Sequence, residues 1–458
     1  MTDPTTTSLT TTPPTPMPTP TTSALDPITA SAAALDAADP LAPFRARFAL
    51  PDGVIYLDGN SLGPLPHDAV ARLQTVVTEE WGTGLIRSWN DADWIGAPAR
   101  VGAKIARLVG AAPHEVLVAD STSVNLYKVI VAALLAQPER MTILSEPGNF
   151  PTDLYLIESA IRTLGRGHRL VLVPREEIAA RCDADTALVL LTHVHYRTAE
   201  VYDLAAITRA VHAAGARICW DLSHSLGAMP IDLTAAGADY AVGCGYKFLN
   251  GGPGAPAMVY VAERHHATLE TPLGGWLGHA RPFAFEDAYA PAPGIARLQC
   301  GTPPVLSLAA LEVGVELMLE ADLTRVAEKS RALCERFRAL VEARCAAYGA
   351  QVVGPPPGAP RGSHVSVAHP EAYAVMQALI ARGVIGDYRV APSALAQAGV
   401  AGAPMEKDDS RHAGVMRFGI TPLYLRFVDV DRAVEVLEEV LRTGVWQEPR
   451  FHVRQAVT

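Results

Sequence analysis

The tightest constraint on this chain is a pair of short apolar runs that end in opposite charges. Ile218-Cys219-Trp220 runs into Asp221, and Tyr240 to Cys244 runs into Gly245, Tyr246 and Lys247. Short apolar runs of this kind read as strands buried on both faces. Lys247 follows Asp221 by 26 positions, which suits one crossover between neighbouring parallel strands. In open α/β sheets, ligands sit outside the carboxyl ends of the strands. The spacing therefore predicts a carboxylate and an amine facing one crevice.

A lysine amine forms a Schiff base with a carbonyl, and pyridoxal phosphate supplies that carbonyl. The cofactor withdraws electrons only while its ring nitrogen stays protonated, and a buried carboxylate beside that nitrogen keeps it so. Asp221 fits the nitrogen partner and Lys247 the Schiff-base lysine. Taken singly, an Asp at a strand end caps the next helix and a Lys is a solvated charge. The pairing carries the reading, together with Gly245 before Lys247 and Gly251-Gly252-Pro253-Gly254 after it.

Composition excludes several classes. At 458 residues, 49% hydrophobic and 19% charged, the chain has apolar mass for more than one ordinary domain. A net charge of −10 without a dense basic run argues against nucleic acid as a partner. The six cysteines show no Cys-x-x-Cys spacing, so they read as reduced thiols and not as disulfides or a zinc site. No apolar run approaches the roughly 18 residues of a membrane span. The first basic residue is Arg45, so a charged secretory start is missing. The expectation is a soluble, cytoplasmic protein.

In chain order, residues 1–24 are almost all Thr, Pro and Ser and read as a disordered tail. Residues 25–320 read as an N-terminal segment and a large domain, and 321–458 as a smaller α+β C-terminal domain. Val54 to Leu57 reads as a strand followed by the tight turn Asp58 to Pro64, whose glycines and Asn tolerate positive φ. A helix pattern then ends near Trp81-Gly82, before Trp89 and Trp94 in an irregular segment. Ser121-Thr122-Ser123 opens a helix, where hydroxyls act as caps or, with free N–H groups and the helix dipole, seat a phosphate. Phe150, between Asn149 and Pro151, is either a lid for a flat ring or simple packing. His193 and His195 suggest a metal, but no acidic or cysteine partner stands at helical spacing, and none is assigned. Strands and helices alternating from about 115 to 262 predict a parallel, doubly wound sheet. Beyond it come a helical stretch from Leu306 to about Cys345, strands at Val365–Ala368, Val384–Gly386 and Val415–Gly419, and a final helix from Val430.

From about Val54 to Arg417 the chain resembles the kynureninases, members of the fold type I, aminotransferase-like pyridoxal-phosphate enzymes. The resemblance lies in LDGNSLGPLP, DSTSVNLYK, EPGNFPTDLY, THVHYRTAEVYD, CWDLSHSLGAMP, GCGYKFLNGGPGAP, GGWLGH, GTPPVLSL and RFGITPLY, in that order. It implies a mostly parallel large domain with a small C-terminal domain, and hydrolysis of L-kynurenine, or of 3-hydroxykynurenine, in tryptophan catabolism. By motif, Lys247 is the Schiff-base lysine, Asp221 the partner of the ring nitrogen, and Phe150 the residue stacked on the ring. Thr122 and Ser123 lie at the cofactor phosphate, with Tyr246 nearby as a proton carrier. Asp153, Thr192 and His224 match cofactor-pocket positions. Trp276 and Thr302 match positions that reach the cofactor from a second subunit, which implies a homodimer. Arg417 matches the arginine that holds the substrate α-carboxylate in a two-pronged contact, and Asn60, Ser61 and Trp89 look like substrate-side elements. The Thr/Pro tail has no counterpart in the family pattern.

Two other readings compete. A cysteine desulfurase or aminotransferase shares the fold, but a desulfurase needs a mobile-loop cysteine, and Cys334 and Cys345 fall in a helical pattern. A ligand-sensing half of a regulator needs an attached basic DNA-binding segment, and the tail has no basic residue.

Overall fold

The computed structural model describes residues 26–390 and 414–455, so the tail read at 1–24 lies outside the described residues. β1 (Ile55–Tyr56) stands apart from the main sheet. The apolar runs of the large domain form β2 (Val116–Ala119), β3 (Thr142–Ser145), β4 (Arg169–Leu172), β5 (Thr186–Thr192), β6 (Arg217–Asp221), β7 (Tyr240–Gly243) and β8 (Ala257–Val261). Their order across the sheet is β2-β8-β7-β6-β5-β3-β4. The five strands from β7 to β4 are parallel, and β8 is antiparallel to both of its neighbours.

The sheet is thus mostly parallel, as expected, and β8 is its antiparallel exception. The link from β7 to β8 carries Lys247 and contains no helix, so the chain doubles back instead of crossing over. Side chains alternate between two cores: Ile218 and Trp220 face one, Cys219 the other. Helices Thr122–Leu135 and Pro151–Leu164 cover one face, and Ala97–Leu108 and Leu204–Ala213 the opposite one.

The stretch read as one helix from Leu306 is two, Val305–Glu320 and Leu323–Arg344. Asp322 starts the second by accepting from the Thr324 amide at 2.8 Å. Beyond it lie β9 (Gln351–Val353), β10 (His364–Ala368), β11 (Val384–Ile385), β12 (Asp387–Val390) and β13 (Gly414–Gly419). An antiparallel sheet in the order β12-β13-β10-β9 packs against helices Leu323–Arg344 and Ala372–Ile380, and helix Phe427–Thr443 packs on those two helices. β12 was not expected. Gly386 separates it from β11, and the two short strands pair differently, β11 parallel to β1 and β12 antiparallel to β13. The helix from His67 ends near where expected, but it changes at Val76 to wider π turns that reach Gly84. Among the described residues no helix is long and apolar enough to cross a membrane. Cys219, Cys244, Cys334 and Cys345 are buried free thiols.

The turn after β1 departs from expectation in its physics. Neither Gly59 nor Gly63 takes a left-handed backbone. They are glycine because of close approach. A Cβ on Gly63 would lie 2.5 Å from the Lys247 carbonyl oxygen and 2.5 Å from the Asn250 side-chain oxygen. The Gly63 amide donates to the Tyr246 carbonyl at 2.8 Å, so this turn holds the lysine loop in place. Gly63→Ala should therefore overpack the contact and cost about 1–3 kcal/mol. A thermal melt should show a Tm drop of about 1–3 °C; an unchanged Tm would contradict the contact.

Candidate active site

β6 and β7 pair in parallel with Asp221 opposite Val242, so the loops leaving both strands open on the same edge. Asp221 is buried, and its Oδ1 accepts from the Ser223 amide at 2.8 Å. Lys247 Nζ lies 3.0 Å from His224 Nε2, which reaches it from the loop after β6. Burial, then the nearby Lys247 charge, pushes the His224 pKa well down, so its imidazole is neutral. Burial also raises the Asp221 carboxyl, while the Ser223 hydrogen bond and Lys247 pull it back.

Asp153 joins this group from the first turn of helix Pro151–Leu164. Burial and the neighbouring Asp221 charge push its carboxyl well up. Thr192, at the end of β5, donates to Asn149 and lies 3.4 Å from Asp153 Oδ2. Phe150 stands beside Lys247, with its ring centroid 5.9 Å from Nζ and an edge contact to Tyr196 at 5.3 Å. It is 37% exposed, unusual for an aromatic ring at the start of a helix packed on the sheet. Thr122 and Ser123 open helix Thr122–Leu135, and Thr122 Oγ1 is buried without a partner among the described residues. Tyr246 brings its ring within 6.0 Å of Lys247 Nζ, and burial raises its phenol so that it stays protonated.

Arg417 is a buried residue on β13, not a surface arginine. Its fork is already gripped within the chain: Nε and Nη2 donate to the two Asp387 oxygens at 2.9 and 2.5 Å. Nη1 donates to the Tyr196 carbonyl at 2.7 Å, and Nη2 also to Ser61 Oγ at 2.9 Å. The two-pronged contact expected with substrate is thus made here with Asp387, the cross-strand neighbour on β12. Arg389 also bonds Asp387, at 2.6 Å, so two guanidiniums meet at this end of the site. Asn60 is fully buried, with both amide atoms unpartnered among the described residues.

Three of the expected residues are not gathered here. Trp276 and Thr302 are exposed, and among the described residues no hydrogen bond or ring contact ties them to Lys247. Trp89 packs edge-on against Trp94 at 6.1 Å. His195 lies against the Gly148 carbonyl at 3.0 Å, and burial lowers both His193 and His195 to about 4. Both histidines are therefore neutral.

A family profile described as Kynureninase C-terminal domain matches residues 326–401 and 391–437. Kynureninases from Pseudomonas fluorescens and Burkholderia mallei (strain SAVP1) are 50% and 49% identical over 430 and 432 residues. The alignments cover 93% of this chain and 98% and 99% of those proteins. The chain belongs to the kynureninase family. Solved structures with the same fold include a cysteine desulfurase from Thermococcus onnurineus NA1, at TM-score 0.73 and 18% identity over 88% of this chain and 98% of that one. The cystine C–S lyase C-DES, in complex with cysteine persulfide, matches at TM-score 0.66 and 16% identity over 85% of this chain and 98% of its own. At such identity these show the fold alone, that of fold type I. Cys334 is buried inside helix Leu323–Arg344, where burial raises its thiol to about 12, so it is no loop nucleophile.

Sequence reading of this kynureninase-family chain missed Asn149, Tyr196, His364, Asp387 and Asp58, and offered Arg389 only as the alternative to Arg417 for the substrate carboxylate. His364 lies 5.7 Å from the His224 ring, buried, with both nitrogens unpartnered among the described residues. Asp58, in the turn after β1, has its carboxyl raised from 3.8 to about 7, first by burial and then by Asp387; Ser61, Arg417 and Arg389 oppose the shift. A raised folded-state pKa means that the fold favours the protonated acid. That stabilisation is complete below the unfolded value and is lost as pH climbs from about 4 to about 7. Asp58→Asn, neutral throughout, should raise Tm more at pH 8 than at pH 5. Equal Tm changes at the two pH values would contradict the shift.

Proposed function

We propose that the protein hydrolyses the Cβ–Cγ bond of L-kynurenine, giving anthranilate and L-alanine, with pyridoxal 5'-phosphate as cofactor. The same cleavage of 3-hydroxykynurenine gives 3-hydroxyanthranilate. The observation that carries this reading is Lys247 beside buried Asp221 and His224 at the carboxyl edge of β6 and β7, in a chain half identical to named kynureninases. The residues present suit that cofactor. Lys247 offers an amine, Asp221 a buried carboxylate, and Phe150 a partly exposed ring face. The unpartnered Thr122 hydroxyl and Ser123, at a helix N-terminus, suit a phosphate.

Bound there, pyridoxal phosphate supplies an electron sink for carbanionic charge on the amino-acid substrate. Asp221 holds the proton on the ring nitrogen, since a charge in low dielectric acts strongly on its neighbour. Lys247 moves the Cα proton. Neutral His224 and Thr192 would help hold the cofactor ring, with Asp153 3.4 Å from Thr192. Tyr246, kept protonated by burial, donates in the later steps. Arg417 and Ser61 orient the α-carboxylate, with Asn60 and Trp89 on the substrate side. Trp276 and Thr302 complete the site of a second subunit in a homodimer. Their exposure supports this, as do the exposed Trp81, Ile86, Phe283 and Phe285. We place the enzyme in the cytoplasm, in tryptophan catabolism and, through the 3-hydroxy product, NAD biosynthesis.

The test is a product assay on purified holoenzyme with both substrates. Anthranilate and alanine in equal amounts support the reading; sulfur release from cysteine without anthranilate would replace it by a desulfurase. Asp221→Ala should bind the cofactor more weakly and nearly abolish turnover, and near-normal activity would remove Asp221 from the mechanism. Arg417→Ala and Arg417→Lys should each lose about 2–5 kcal/mol of carboxylate binding. In kcat/KM that is a fall of roughly one and a half to three and a half decades, with the cofactor spectrum intact. Either variant within about threefold of wild type would show that Arg417 is not the clamp.

A further inference from the structure

Arg417 has fewer free donors than its proposed task requires. A guanidinium carries five N–H donors in one planar fork. Asp387 takes Nε and one Nη2 donor at 2.9 and 2.5 Å, Ser61 takes the other at 2.9 Å, and the Tyr196 carbonyl takes one from Nη1 at 2.7 Å. Among the described residues, one Nη1 donor is left. Its side chain is 2% exposed, and Asp387, 3% exposed, is fixed beside it by strand register. Moving Asp387 aside would leave a buried carboxylate without its principal partner, a costly state.

Arg389 adds further donors, although its Nη1 already donates to the Tyr388 carbonyl at 2.9 Å. Its Nη2 donates to the same Asp387 oxygen as Arg417, at 2.6 Å, and lies 3.4 Å from the same Ser61 hydroxyl. The two guanidiniums therefore meet across one carboxylate oxygen and one hydroxyl. Arg389 is the accessible member, with 33% of its side chain exposed. Both arginine charges help lower His224, the histidine 3.0 Å from Lys247. Among the described residues, the two guanidiniums share the single negative charge of Asp387, and Asp58 is the other carboxyl acting on Arg389. Within that described group, while Asp58 is protonated, one positive charge is left over, which matches one incoming carboxylate.

We propose that Arg389 is a second binding residue for the substrate α-carboxylate, gripping it jointly with Arg417 across a bridge made by Asp387. The inference rests on the kynureninase reading above. Asp387 is then a positioning residue: it spaces the two forks so that each contributes to one carboxylate. The carboxylate gains two charge-assisted contacts that Arg417, nearly used up, does not offer alone.

The experiment compares holoenzyme carrying Arg389→Ala or Arg389→Lys with wild type. Steady-state rates on L-kynurenine are measured together with equilibrium binding of two amines: L-alanine, and kynuramine, which is kynurenine without its carboxylate. Arg389→Ala should raise KM for L-kynurenine and Kd for L-alanine roughly tenfold or more, with kcat within about threefold. Kynuramine affinity and the cofactor spectrum should not change. Arg389→Lys, which keeps the charge, should recover part of the loss. A KM within about threefold of wild type in Arg389→Ala would overturn the inference, as would equal losses for alanine and kynuramine, which mark a merely structural role. A wild-type enzyme that forms no anthranilate would instead overturn the kynureninase reading itself.

Discussion

The parallel pairing of β6 with β7 is the interaction on which the site depends. Because Trp220 sits opposite Ala241 and Asp221 opposite Val242, the two strands end at one level. A slip of one residue would send Asp221 to the other face of the sheet. The register is held by burial on both faces, with Ile218 and Trp220 in one core and Cys219, Tyr240 and Val242 in the other. The acid is thus placed by the core, and its burial follows from the same packing. The lysine lies beyond the strand and needs a second restraint. The turn after β1 provides it, through the Gly63 amide on the Tyr246 carbonyl.

That turn also links the two ends of the chain. Ser61 binds Asp387 and Arg417, Tyr196 brings its carbonyl from the loop after β5, and β1 pairs with β11 immediately before Asp387. One buried ion pair therefore gathers the N-terminal turn, the large-domain loop and the C-terminal sheet. Buried ion pairs seldom add much net stability, but breaking one is costly, so they fix geometry well. The loss expected on changing Gly63 belongs to the same logic: strain in the turn would reach both the lysine loop and the arginine seat.

Much of this was legible in the sequence for a physical reason. Asp221 and Lys247 end apolar runs whose length and spacing allow few topologies, and Thr122, Phe150 and Asp153 stand at helix starts with recognisable local patterns. The residues that escaped owe their position to contacts distant in sequence. Asp387 follows Gly386, which looks like the end of a strand and is a junction between two differently paired ones. Arg389 and Arg417 meet only through the β12–β13 register. Asn149 acts through Thr192, 43 positions later. The glycines of the turn after β1 suggested a left-handed backbone, whereas their role is steric, and a local rule does not see the Lys247 loop pressing on Gly63. The antiparallel β8 follows from a connection that spends its length on the lysine loop and leaves none for a helix.

The central claim is that the strand ends of β6 and β7 present Lys247 as the amine that holds the cofactor. Its most direct measurement is borohydride reduction of the purified holoenzyme followed by peptide mapping. The account predicts one labelled peptide, with pyridoxyl phosphate on Lys247. A label on Lys104, Lys128 or another lysine would contradict it.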